Sequence, residues 1–165
     1  MLPGATLIRE YHERDARQVE ACIVELQDFC KQIDALAAAG TVAQKYLAHL
    51  LAQCAETDGA IFVAEHDGVV IGMVCIFARV RSKLVDEEDY EHAYVSDLVV
   101  LAAHRQKGLG HALLERAEEH ARSRGAQLLR IGVHAPNKVA RDLYVRDGFR
   151  ERIVSLQKEL KNDSD

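Results

Sequence analysis

The apolar positions of this chain follow two rhythms. Between Asp15 and Gly40, Val19, Cys22, Ile23, Leu26, Phe29, Ile33 and Leu36 recur at the spacing that lines one face of a helix. Asp15 stands where an N-cap belongs, and Gly40 is expected to end the helix. A second helical stretch starts at Thr41 and carries Tyr46, Leu47, Leu50, Leu51 and Cys54 before Asp58-Gly59. Thr6–Arg9 predicts a short strand ahead of both helices. From Ala60 the rhythm changes to runs rich in Val, Ile and Phe, Ala60–Glu65 and Val69–Val80, with Asp67-Gly68 between them as a hairpin signal.

Tyr94–Val100 predicts a fourth strand, Leu101–Lys107 a loop, and about Gly108–Arg124 a helix that buries Leu109, Ala112, Leu113, Ala117 and Ala121 and stops at Gly125. Leu128–Val133 predicts a fifth strand. Pro136-Asn137 opens a helix that runs to about Arg146, and Phe149–Leu160 predicts a last strand. The order β-α-α-β-β-β-α-β-α-β describes an α/β (α+β) protein, a mixed sheet with helices on its faces.

Composition narrows the class. At 165 residues, with 48% apolar and 28% charged side chains, the chain has one domain's length and an ordinary globular balance. A disordered tail, a collagen-like repeat and a disulfide miniprotein are excluded. The longest apolar run, Val69 to Phe77, is less than half of the roughly 20 residues a spanning helix needs. Met1 to Thr6 lacks the basic and apolar segments of a secretory signal, so a cytoplasmic protein is expected. Cys22, Cys30, Cys54 and Cys75 form no C-x-x-C pair and are expected to be buried free thiols. Eight histidines include no metal-ligand spacing, and no metal is expected.

The formal net charge of −5 conceals an asymmetry. Residues 1–100 carry 8 basic and 17 acidic side chains, whereas residues 101–165 carry 13 and 9. Such a chain can hold an anionic ligand on one half and a cationic one on the other.

The most specific segment is Arg105-Gln106-Lys107-Gly108-Leu109-Gly110, which follows a predicted strand and opens a predicted helix. Glycines at 108 and 110 let backbone N–H groups close around an anion at the positive helix end, and Arg105 and Lys107 add charge-assisted bonds. An ordinary basic strand-to-helix turn has the same composition. The dinucleotide fingerprint fits poorly, because Ala112 and Leu113 stand around the position of its third glycine, and no Walker loop is present.

Here the chain resembles the GNAT superfamily of acetyl-CoA-dependent N-acetyltransferases. Its first hallmark is Gln or Arg, two residues, Gly, one residue, then Gly or Ala, matched by Arg105, Gly108 and Gly110. Its second hallmark, Asn-x-x-Ala-x-x-Leu-Tyr-x-x-x-Gly-Phe, is matched by Asn137, Ala140, Leu143, Tyr144, Gly148 and Phe149. Motif matches span about Tyr94 to Phe149, and the first 90 residues agree only in element order and length. The resemblance implies one domain over residues 1–165. Its sheet would have about six strands, mostly antiparallel, flanked by helices and splayed between the fourth and fifth strands by a bulge in the fourth.

The resemblance also implies the ligand contacts. Leu98, Val99 and Val100 would pair through their backbone with the pantetheine arm of acetyl-CoA. Arg105, Gln106, Lys107, Gly108, Leu109 and Gly110, with His111, would hold the pyrophosphate. Asn137 would hydrogen-bond the pantetheine, and Tyr144 would sit beside the thioester sulfur as general acid, since a phenol stays protonated at neutral pH. A backbone N–H of Leu98 or Val99 would hold the oxyanion formed when a neutral amine attacks.

The base is less fixed by the motif. Some relatives carry Glu where this chain has Ser96. The neighbouring Asp97 is a candidate base acting through water, although an ideal strand points it to the opposite face. His134, Glu91 and His92 are further candidates, and water alone can carry the proton away. The acceptor is expected to be a small-molecule or peptide amine. The carboxylates Asp86, Glu87, Glu88, Asp89 and Glu91 can attract a cation or form a solvated loop. Tyr11, Phe29, Tyr90 and Tyr94 can line the acceptor cavity or fill the core. A catalytically weak acyl-CoA-binding regulator is the alternative reading; nucleic-acid and membrane partners are not expected. A short last strand leaves room for a homodimer that completes the sheet.

Overall fold

A computed structural model describes residues 6–82, 85 and 88–160. Five strands form one sheet in chain order: β1 (Thr6–Glu10), β2 (Ala60–His66), β3 (Val69–Arg81), β4 (Glu91–Val100) and β5 (Leu129–Ile131). The first four run antiparallel, and β5 joins β4 in parallel. Four α-helices flank the sheet: α1 (Ala16–Ile33), α2 (Ala43–Glu56), α3 (Leu109–Ser123) and α4 (Lys138–Arg146).

Both faces of the central strands are covered, which explains why β2 is buried at five consecutive residues, Ala60–Ala64. Phe62 and Ala64 pack with Leu113 and Ala117 of α3. Ile61 and Val63 pack on the other face with Ile23 of α1 and Leu50 of α2. Burying a side chain such as Phe62 stabilises the fold by roughly 1.5–3 kcal/mol. The hairpin signal is realised: His66 pairs with Val69, and both Asp67 and Gly68 adopt positive φ, 49° and 79°, as a two-residue type I′ turn demands.

Asp15 does not cap α1. Its carboxylate instead receives both terminal nitrogens of Arg9, at 2.7 and 2.9 Å, and the His12 N–H at 2.8 Å. Arg9 also donates to Glu65 at 2.7 Å, so one guanidinium ties β1, the start of α1 and β2 together. The helix ends seven residues before Gly40, at Ile33, because Asp34 is extended (φ −143°, ψ 110°). Leu36 therefore leaves the apolar face and is solvent-exposed.

β4 contains the bulge. Cys75 pairs with Asp97 and Ile76 with Val95, so Ser96 is an extra residue. The insertion exchanges the faces of the strand. Ala93 and Val95 belong to the α3 side of the core, whereas Val99 belongs to the α1–α2 side, and Leu98 and Val100 pack back against the α3 side.

Three expectations need correction at the far edge. Among the described residues the sheet has five strands rather than about six, and the fifth shrinks from Leu128–Val133 to Leu129–Ile131. The last strand, expected over Phe149–Leu160, is not formed among the described residues. A strand forms only against a partner, and residues 151–160 lie against no ladder: Ile153 is 67% and Leu156 91% exposed. The four cysteines are free, with the sulfurs of Cys54 and Cys75 3.7 Å apart. No helix among the described residues is long and apolar enough to cross a membrane.

Candidate active site

β5 pairs with β4 only along Ala93, Val95 and the residue between them, Tyr94. Past Val95 the bulge turns β4 away. Gly132, just beyond β5, lies against the hydroxyl of Tyr94, which a Cβ at that position would meet at 2.8 Å. The parallel ladder ends there, and among the described residues no strand pairs with this edge of the backbone from Ser96 to Val100. Leu98, Val99 and Val100, the residues expected to meet the pantetheine arm, line this unpaired edge.

The Arg105–Gly110 segment lies at the end of that edge, ahead of α3. Gln106 and Gly108 have positive φ, 61° and 80°, and Gly108 occupies the N-cap position without a side-chain cap. The first N–H to reach a carbonyl of the helix is that of Ala112, bonded to Gly108. The N–H groups of Leu109, Gly110 and His111 therefore lie in the uncapped first turn of a 15-residue helix, an arrangement that suits a pyrophosphate. A Cβ at Gly110 would meet Leu143 at 3.1 Å, so glycine there also lets α3 approach α4.

The charged members of the segment are held by protein groups. Arg105 donates through Nε to the Val100 carbonyl at 2.8 Å and through Nη2 to Glu25 of α1 at 2.9 Å. Glu25 also accepts the Ala102 N–H at 2.8 Å. Lys107 reaches the Ala103 carbonyl at 3.4 Å, and His111 contacts Asp147 at 2.9 Å. Asn137 is the N-cap of α4: its Oδ1 accepts the Ala140 N–H at 3.2 Å, which leaves its amide nitrogen for another acceptor.

Tyr144 lies on the α3 side of the sheet, 9% exposed, with its ring against Phe149. Burial, and next the charge of Asp97, push its pKa up to about 12. The phenol therefore keeps its proton through the whole neutral range. Asp97 lies on the α1–α2 side, 7% exposed. The hydroxyl of Tyr46, from α2, stands 3.1 Å from each of its carboxylate oxygens. Burial raises the Asp97 pKa, while the hydroxyls of Ser96 and Tyr46 and the nearby His49 oppose the rise. The bulge is what lets β4 present Asp97 here, although Ala93 and Val95 face the other way.

The remaining candidates are placed less favourably for proton transfer. Glu91 bonds Arg79 at 3.0 Å and Arg81 at 3.2 Å, and the Arg79 guanidinium holds its carboxyl below the usual range. His92 is buried on β4, and His134 stands 3.4 Å from Asp34, just past the end of α1. Of the acidic loop, Asp86 and Glu87 lie outside the described residues, and Asp89 is bonded by Arg81 at 2.6 Å. Two of the five carboxylates are thus matched by arginines of β3.

Tyr46 carries no motif, and helical periodicity reads it as one more apolar position. Its partner lies 51 residues away in sequence. The only signal for its role was a hydroxyl on a face that is otherwise Leu47, Leu50 and Cys54.

Comparison with known proteins shows the family and the fold. The model of the family described as "Acetyltransferase (GNAT) family" matches residues 23–149. An uncharacterized N-acetyltransferase of Bacillus subtilis, YhfO, is 28% identical over 145 residues, 87% of this chain and 89% of that protein. The aminoalkylphosphonate N-acetyltransferase of Salmonella typhimurium is 29% identical over 101 residues, 59% of this chain and 61% of that one. Among solved structures, the aminoglycoside N-acetyltransferase AAC(6')-Iy in complex with CoA shares the fold. It is 17% identical, covers 96% of this chain and 98% of its own, and has a TM-score of 0.70.

Proposed function

The chain belongs to the GNAT acetyltransferase family and is an acetyl-CoA-dependent N-acetyltransferase, and on that premise we propose that it acetylates a primary amine by direct attack in a ternary complex. The observation that carries this reading is the parting of β4 from β5 at Ser96, with buried Asp97 and buried Tyr144 near the opening. We read residues 1–165 as one domain.

Acetyl-CoA supplies the activated acetyl group. The backbone edge of Leu98, Val99 and Val100 orients its pantetheine arm, and an N–H of Leu98 or Val99 holds the developing oxyanion. The amide nitrogen of Asn137 holds the same arm from the other side. Arg105, Gln106, Lys107, Gly108, Leu109, Gly110 and His111 bind the pyrophosphate through N–H groups and positive charge. Asp97 accepts the amine proton through water, and Tyr144 returns a proton to the leaving sulfur. A carboxylate raised by burial and a phenol raised to about 12 suit those two opposite tasks.

The acceptor is a small-molecule or peptide amine. Thiol release from acetyl-CoA tests the reading against four amines: spermidine, an aminoglycoside, 2-aminoethylphosphonate and a lysine-containing peptide. Turnover of one or more supports it. Acetyl-CoA binding without turnover of any would favour the acyl-CoA-binding regulator. A second copy of the chain is the partner we propose for the exposed segment 150–160.

A further inference from the structure

We propose that Tyr46 is a positioning residue for Asp97: its phenol, carried on α2, fixes the carboxylate at the β4 bulge and keeps it available as a proton acceptor. The proposal rests on the reading of Asp97 as that acceptor.

Two buried aspartates in this molecule have partners of opposite kinds. Asp15 receives the Arg9 guanidinium in a two-pronged bond, which holds its carboxyl down at about 2. A carboxylate paired in that way is a poor base. Asp97, also shielded from solvent, is met instead by a neutral hydroxyl at 3.1 Å from both oxygens. A phenol orients a carboxylate and partly offsets its burial without neutralising its charge. The pairing therefore fixes geometry while preserving basicity.

The other groups around Asp97 leave this role to Tyr46. From α2, His49 is the one cationic candidate, and it acts over a distance rather than through a bond. Cys30 of α1, Cys75 of β3, Tyr94 of β4 and Tyr144 of α4 are neutral acids whose ionisation the Asp97 charge opposes. Cys54 of α2 feels that charge as well, and it is engaged with Cys75. The Ser96 hydroxyl, beside Asp97 on β4, acts in the same direction, but its oxygen makes no hydrogen bond. The phenol of Tyr46 is therefore the group that is bonded to both carboxylate oxygens. Tyr46 itself is pushed up in pKa by burial and then by Asp97, so it stays a donor at every pH the enzyme meets.

The test follows the Asp97 carboxyl directly. In protein labelled with carboxyl-13C aspartate, with the resonance assigned through Asp97→Asn, Tyr46→Phe raises the titration midpoint of Asp97 by about one pH unit. An unchanged midpoint overturns the proposal. Incorporating 3-fluorotyrosine at position 46 acidifies the phenol with almost no change in size. It moves the midpoint downward, which keeps the test open even if Tyr46→Phe fails to fold. In thiol release with acetyl-CoA and the fastest of the four amines, Tyr46→Phe lowers kcat and moves the acidic limb of the profile up with the midpoint. The KM for acetyl-CoA stays unchanged. Wild-type turnover by Asp97→Asn overturns the base reading and this role with it. Loss of turnover in Asp97→Asn, with rate and midpoint both retained in Tyr46→Phe, overturns the positioning role alone.

Discussion

Arg105 and Glu25 join the two halves of the molecule: Nη2 of the arginine lies 2.9 Å from Oε1 of the glutamate, so the segment ahead of α3 is anchored to α1. The same Glu25 oxygen accepts the Ala102 N–H, and Arg105 Nε bonds the Val100 carbonyl at the end of β4. Arg105 thus braces the loop ahead of α3, the loop we propose presents the pyrophosphate-binding groups. Arg105→Ala is expected to weaken CoA binding roughly tenfold, about 1.4 kcal/mol. Isothermal calorimetry checks this, and unchanged affinity would remove Arg105 from the cradle.

Gly108 separates two causes of failure. Its φ of 80° strains any side chain, but a Cβ there would meet nothing within 4 Å. Gly108→Ala is expected to cost about 1 kcal/mol in stability and to leave CoA binding measurable. Gly108→Glu adds the same strain and places a negative charge at the uncapped helix end, so CoA binding is lost. Normal CoA affinity in the glutamate variant would move the pyrophosphate elsewhere.

Tyr144→Phe removes one hydroxyl from a buried ring. If that hydroxyl protonates the leaving sulfur, kcat falls about a hundredfold while CoA affinity stays within twofold of the wild type. Because burial holds the phenol up to about 12, no alkaline limb from Tyr144 is expected below roughly pH 11. Stopped-flow thiol release against pH measures both, and an unchanged rate excludes the residue as the acid.

The Arg9–Asp15 bond makes stability depend on pH in a defined direction. The Asp15 pKa is lowered from 3.8 to about 2, first by the Arg9 hydrogen bond. A lowered folded value contributes fully above the unfolded value and fades as pH falls from near 4 through about 2. The amount is about 2 kcal/mol. Melting temperatures of the wild type and Asp15→Asn should differ at pH 7 and converge near pH 2. Asp97 has the opposite sign: its raised pKa weakens the fold as pH rises past the unfolded value. Asp97→Asn is therefore expected to melt higher than the wild type at pH 7 while losing turnover.

The segment 150–160 presents Ile153 and Leu156 to solvent while, among the described residues, β5 has only β4 beside it. If this segment pairs with the sheet of a second copy, the wild type sediments as a dimer and Leu156→Lys, which puts a charge on that segment, shifts it toward monomer. A monomeric wild type at micromolar concentration would end the idea.

Much of the candidate site is legible in the sequence alone. Arg105, Gly108 and Gly110 are local in sequence, and the spacing of Asn137 and Tyr144 follows from one helix, so local pattern finds them. Asp67-Gly68 specifies its turn by backbone sterics alone. Asp97 was visible as a carboxylate, but its face was not, because an ideal strand alternates and only the register of β3 against β4 reveals the extra residue at Ser96. Tyr46, Glu25 and Arg9 act through partners 51, 80 and 6 residues away, which periodicity does not encode. Leu36 fits the helical rhythm, and only the extended backbone at Asp34 shows that the helix has already ended. The last strand failed for a different reason: its sequence suits a strand, but strand formation depends on a neighbour rather than on propensity.

The extra residue at Ser96 acts as a change of reading frame for side chains. Every position after it, from Asp97 to Val100, faces the side its predecessor in an unbroken strand would have faced. Removing Ser96 would leave those faces as they are, since Asp97 would follow Val95 directly and still pair with Cys75, but it would remove the bulge itself. The carboxylate would stay on the α1–α2 side with Val99, while β4 would run on alongside β5 until the opening closed. In this fold, a deletion of one amide unit erases the site more completely than any exchange of side chains, so insertions and deletions around residue 96 are the changes that decide whether a descendant of this chain keeps a cleft at all.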